Sequence, residues 1–145
     1  MKKIILLIIA LISLPMMADA QITIKEKNSI ETIKSLGMGW VTLTCSEDYY
    51  VLCIQSDNQF DDHYVIGLGS GKAKASASLQ ALVSIASTLK KNESVTFTTG
   101  SKEYSIHRGL TKGEIMIKGE YYAGWGRVSK GQLNTLLDAI LFYNN

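Results

Sequence analysis

Tyr64-Val65-Ile66-Gly67-Leu68-Gly69 and Tyr121-Tyr122-Ala123-Gly124-Trp125-Gly126 share one pattern, Tyr-x-x-Gly-x-Gly, and each runs into a stretch of helical periodicity. In the first such stretch, 72–90, Leu79, Leu82, Val83, Ala86 and Leu89 fall on one stripe. In the second, 130–142, Leu133, Leu136, Leu137, Ile140 and Leu141 do the same. Ser129 with Gln132 three residues on forms a capping box, whose side chains satisfy orphan N–H groups of the first turn. Gly131 weakens that turn slightly. Glycines at a strand end present bare backbone, so a helix can pack closely on it. Each helix then needs a sheet against which to bury its apolar stripe.

Working outward, short alternating segments bounded by turn residues predict antiparallel strands. They are 31–36, 40–45, 49–55 and 63–69 before the first helix, and 95–99, 103–108, 114–118 and 121–127 before the second. The fold class is therefore α+β, with antiparallel strands in two groups, each followed by a helix, and the shared pattern points to a tandem ββββα duplication. That arrangement resembles the tandem ββββα single-strand nucleic-acid binders of the Whirly and PUR type. The resemblance implies a binding role for the sheets, by analogy of fold alone.

A two-residue turn at Glu47-Asp48 pairs Val41 with Ile54, Leu43 with Leu52 and Cys45 with Tyr50. Those six side chains share one face, and Cys53 falls on the other, opposite Thr42. The register disfavours a Cys45–Cys53 disulfide, since a one-residue shift that joined the two would break the apolar face.

The chain opens with Lys2 and Lys3, an apolar run over 4–14, Pro15, and Ala18-Asp19-Ala20. This is the pattern of a bacterial export signal cleaved before Gln21, and the run is too short for a membrane anchor. Residues 1–20 are thus read as a cleaved signal peptide and 21–145 as a single α+β domain, periplasmic or secreted. Gln21 to Asn28 reads as an edge strand or a loose arm. The remainder carries 13 basic and 12 acidic residues, a formal charge of +1, which argues against a dedicated binder of polyanions.

No catalytic set, metal site or cofactor motif emerges. Gly67 to Lys72 is glycine-rich but has the wrong spacing for a P-loop, and Ala73 stands where the magnesium-binding hydroxyl belongs. It reads as a strand-to-helix turn, with Lys72 and Lys74 near a helix start that favours anions. Asp61 and His63 offer two metal ligands without a third, so a solvated hairpin end is the plainer reading.

The segment 121–127 carries the distinctive surface. A hairpin about Gly119-Glu120 would set Lys118 opposite Tyr121, Ile117 opposite Tyr122 and Met116 opposite Ala123. Ile115, Ile117, Tyr122 and Gly124 then face a helix, and Tyr121, Trp125, Met116 and Lys118 face away. With Arg127, His107 and Arg108 nearby, that face would suit a protein, peptide or glycan. The shared pattern also aligns Trp125 with Leu68, so the same face also reads, and more plainly, as a second core layer or a homodimer contact. The leading function is an exported, non-enzymatic binding or interaction protein. A small secreted hydrolase or metal enzyme would require His63 or His107 beside Asp or Ser partners in a cleft.

Overall fold

The computed structural model describes residues 30–144. The signal segment 1–20, the cleavage position and the 21–28 arm lie outside the described residues.

Strands β1 (Glu31–Leu36), β2 (Val41–Ser46), β3 (Tyr49–Ile54) and β4 (Tyr64–Ser70) lead into helix α1 (Lys72–Thr88). Strands β5 (Ser94–Thr99), β6 (Lys102–Arg108), β7 (Glu114–Gly119) and β8 (Gly126–Ser129) lead into helix α2 (Lys130–Phe142). Each group forms a four-stranded antiparallel sheet in sequence order, so the chain is α+β and repeats ββββα twice. Among the described residues, no helix is long and apolar enough to cross a membrane.

The β2–β3 register is the expected one: Val41 faces Ile54, Leu43 faces Leu52, Cys45 faces Tyr50 and Thr42 faces Cys53. Glu47 and Asp48 make this turn with φ of 49° and 65°, the left-handed pair that a two-residue hairpin of matching twist demands. The six inward side chains are buried and join α1 (Ala75, Leu79, Leu82, Val83, Ala86) and α2 (Leu133, Leu136, Ile140) in one apolar cluster. Ile106, Ile115, Ile117 and Val128 complete that cluster from the second sheet. The capping box at Ser129 and Gln132 is present in both directions. Cys45 and Cys53 are free thiols on opposite faces of β2–β3.

The strand expected over 63–69 forms as β4 and runs on to Ser70, and Gly71, at φ 84°, turns the chain into α1. Two expectations need correction. Leu141 is not part of the buried stripe of α2 but 60% exposed, because α2 packs against α1, β1 and β8 through Leu133, Leu136 and Ile140. Most consequentially, 121–127 is not a strand paired about Gly119-Glu120. β8 starts at Gly126, opposite Ile117, and Met116 faces Arg127. Tyr122 still faces inward, as expected, packing edge-on against the buried Tyr64 ring at 4.7 Å. Counted back from the helix N-caps, Gly126 and not Trp125 occupies the place of Leu68. The alignment on glycines alone is thus one residue out, and Trp125 is released from the inner face.

Candidate functional site: the Trp125 face and its carboxylate clamp

Between β3 and β4 the chain runs through Ser56-Asp57-Asn58-Gln59-Phe60-Asp61. This loop turns on its own side chains: Asn58 N–H donates to Ser56 Oγ at 3.1 Å, and Phe60 N–H donates to Asn58 Oδ1 at 3.1 Å. The tight path brings two carboxylates against the segment 123–125 of the other half. Asp61 Oδ2 accepts from Gly124 N–H at 2.7 Å, and its Oδ1 from Ala123 N–H at 3.4 Å. Asp57 Oδ1 accepts from Trp125 N–H at 2.7 Å, while Asp57 N–H donates back to Trp125 O at 3.0 Å. A bridge between Ser56 and Gly126 continues the contact into β8.

Three successive N–H groups are therefore held by carboxylates from the first half, among them those of Ala123 and Trp125, which a two-residue β7–β8 hairpin would have turned to β7. Charge-assisted bonds of this kind are about twice as strong as neutral ones. They explain why the predicted strand is absent here. Tyr64 Oη adds a donor from the core side, to Gly124 O at 2.6 Å.

The Gly124 N–H bond, with help from Ser56 Oγ and Ala123 N–H, holds the Asp61 carboxyl below its ordinary range despite partial desolvation. A carboxylate whose pKa is lowered by folding stabilises the protein above its unfolded pKa, and loses that contribution as pH falls through the folded one. Wild-type stability is therefore expected to decline below about pH 4. Asp61→Asn is expected to be less stable at pH 7 and to show a flatter acid limb, read from urea midpoints across pH.

With its backbone fixed, Trp125 lies half-buried on the outer face of the second sheet. The His107 ring meets it edge-on at 5.4 Å, and Lys118 Nζ stands 4.9 Å from its centroid. His107 Nε2 also lies 3.2 Å from Ser105 Oγ. Arg127 occupies the same face beside Met116, its guanidinium 3.6 Å from Asp57; at this exposure the pair orients the side chains more than it stabilises them.

Of the residues singled out in the sequence, Trp125, Lys118, His107 and Arg127 are thus brought together. Arg108 is not: it pairs with the buried Ile115, one step out of phase with His107. Tyr121 is not either; it is 89% exposed and borders a separate pocket of about 230 Å³ with Lys102, Tyr104 and Tyr122. Asp61 serves the clamp, His63 stands exposed, and the described residues contain no group of three or more metal-ligating side chains. Lys72 donates to Tyr143 O, and Lys74 packs beside Gly69. Burial pushes the Cys53 thiol up, away from the reactive thiolate.

Asp57 and Asp61 escaped the sequence reading as partners of the Trp125 segment. The one available signal was Ser-Asp-Asn ahead of Asp61, a turn-forming run rich in side-chain acceptors. The chain matches no protein-family model, no curated protein and no solved structure.

Proposed function

We propose that this chain is a small exported, non-enzymatic binding protein whose site is the outer face of the second sheet around Trp125. Its ligand is a peptide, glycan or protein segment presenting a flat apolar patch beside an acidic group. The observation that carries this reading is an indole borne on a clamped backbone. Trp125 is a large aromatic with few rotatable bonds, its N–H and C=O both tied to Asp57, edged by His107 and Lys118. Such an anchor loses little entropy on binding and offers much contact area. Lys118 and Arg127 supply cations for the acidic group, and Ser105 supplies a hydroxyl. In this reading residues 1–20 direct export to the periplasm or the medium and are removed at Gln21.

The tandem ββββα arrangement favours one second reading, a single-strand nucleic-acid binder using the same indole as a stacking platform. One titration distinguishes the two. With Trp40→Phe as background, Trp125 is the sole tryptophan, and its fluorescence is followed against acidic oligosaccharides, acidic peptides and dT oligomers. The proposal expects saturable quenching by an acidic glycan or peptide, weakened about tenfold or more by Lys118→Ala, and binding of the same probe, followed by calorimetry, lost in Trp125→Ala. Binding confined to dT oligomers, with a steep fall as salt rises, supports the second reading instead. No quenching by any probe, or binding indifferent to Lys118→Ala, contradicts the first.

A further inference from the structure

We propose that the protein pairs with a second copy of itself along the free edge of β5, joining two second-half sheets into one continuous antiparallel sheet across a twofold axis. The contact uses a sheet edge and stands whether or not the Trp125 face binds a ligand.

An unpaired strand edge is a template for further pairing, and folded proteins blunt such edges with charge, bulges or cover. Three of the four edges are managed in these ways. β1 carries Glu31 and Lys34 and a register break between Thr32 and Lys34. On β4, Tyr104 Oη donates to Val65 O, and Gly67 N–H donates to Thr99 Oγ1. β8 has four residues and is bridged at Gly126 by Ser56. Among the described residues β5 has no such device. Its sequence, Ser94-Val95-Thr96-Phe97-Thr98-Thr99, contains no charge, proline or glycine, and its pairing with β6 is regular from end to end. All six residues are of types that suit strands or tolerate them.

The β5–β6 connection, Gly100-Ser101, is a two-residue turn, which makes Thr99 and Lys102 a hydrogen-bonded pair. Alternation along the ladder then directs the backbone groups of Val95, Phe97 and Thr99 to β6 and those of Ser94, Thr96 and Thr98 to the open edge. The latter three side chains are exposed, and among the described residues nothing bonds to their outward backbone groups.

This edge is complementary to itself. Antiparallel pairing centred on Thr96 sets Thr96 opposite Thr96 of the partner subunit and Ser94 opposite Thr98 of the partner subunit. Three hydrogen-bonded pairs give about six backbone hydrogen bonds. On the inner side, half-buried Val95 meets Phe97 of the partner subunit, an aromatic against a β-branched side chain at the closer, non-hydrogen-bonded spacing. Phe97 already packs on Tyr104 at 5.5 Å, so the new contact extends an existing aromatic row. A charge opposite itself at the axis is the corresponding weak point.

Sedimentation equilibrium up to about 1 mM, with amide exchange resolved by residue, tests the pairing. The proposal expects a dimer in which the Thr96 and Thr98 amides are protected. Thr96→Lys, which sets two ammonium groups face to face, and Thr96→Pro, which removes the outward donor, are each expected to weaken dimerisation about tenfold or more. Neither touches the β5–β6 ladder, so circular dichroism should stay unchanged. A wild-type monomer throughout overturns the proposal. So does a dimer indifferent to both variants, or one in which the Thr96 and Thr98 amides exchange freely. Protection of those amides in a monomer overturns it too, since another part of the chain would then cover the edge.

Discussion

Gly124→Ala is expected to lower stability by about 2–4 kcal/mol, far more than a single methyl group ordinarily costs. The added Cβ would stand 2.6 Å from Asp57 Oδ1 and 2.7 Å from Asn58 Cβ, and against Ser56 Oγ as well. All three belong to the loop that holds this segment, and they can retreat only by lengthening the bonds to Gly124 and Trp125. The substitution therefore adds overlap and leaves part-buried N–H groups short of acceptors. Gly131→Ala is the control. Its Cβ would meet only Ser129 Oγ at 3.8 Å, and alanine suits the first turn of α2 better than glycine. It should raise stability by about 0.5–1 kcal/mol. Urea denaturation of the two variants is expected to give shifts of opposite sign.

The second large effect falls on Tyr64. Its ring is fully buried between Tyr104, at 5.9 Å, and Tyr122, at 4.7 Å, and its hydroxyl reaches the Gly124 carbonyl at 2.6 Å. It ties the clamped segment to the core of both halves. Tyr64→Ala removes the ring and is expected to cost about 3–5 kcal/mol. Tyr64→Phe keeps the packing and loses the hydroxyl bond, for about 1–2 kcal/mol. Burial above all pushes the Tyr64 phenol up to about 12. A raised pKa gives stability that is complete below the unfolded value, about 10, and lost as pH rises through the folded one. Wild-type stability should accordingly fall between about pH 10 and pH 12, and that fall should be smaller in Tyr64→Phe.

How far the sequence could be read depends on the range of the forces involved. Periodicity located both helices, and alternation with a two-residue turn set the β2–β3 register residue for residue, because those patterns are local. The capping box was legible for the same reason. The path of 121–125 was not, since it is decided by carboxylates some sixty positions away that hold three successive N–H groups, two of which the hairpin would have turned to β7. Local alternation through Tyr121-Tyr122-Ala123 favoured a strand, and nothing near it warned of a competitor. The candidate site was legible in part. Trp125, Lys118, His107 and Arg127 were grouped correctly because β6 and β7 obey strand parity. Tyr121 was misplaced with the strand that did not form, and Arg108 because strand parity on β6 sets it on the face opposite to that of His107.

Amide hydrogen exchange at Ala123, Gly124 and Trp125 tests most directly whether the first half holds the Trp125 segment. Although this is a loop without strand pairing, exchange there is expected to be at least about 100-fold slower than in an open chain. Most of that protection should vanish in the Asp57→Ala, Asp61→Ala double variant while β6 and β7 amides keep theirs. Unprotected amides in the wild type, or protection that survives removal of both carboxylates, would contradict it.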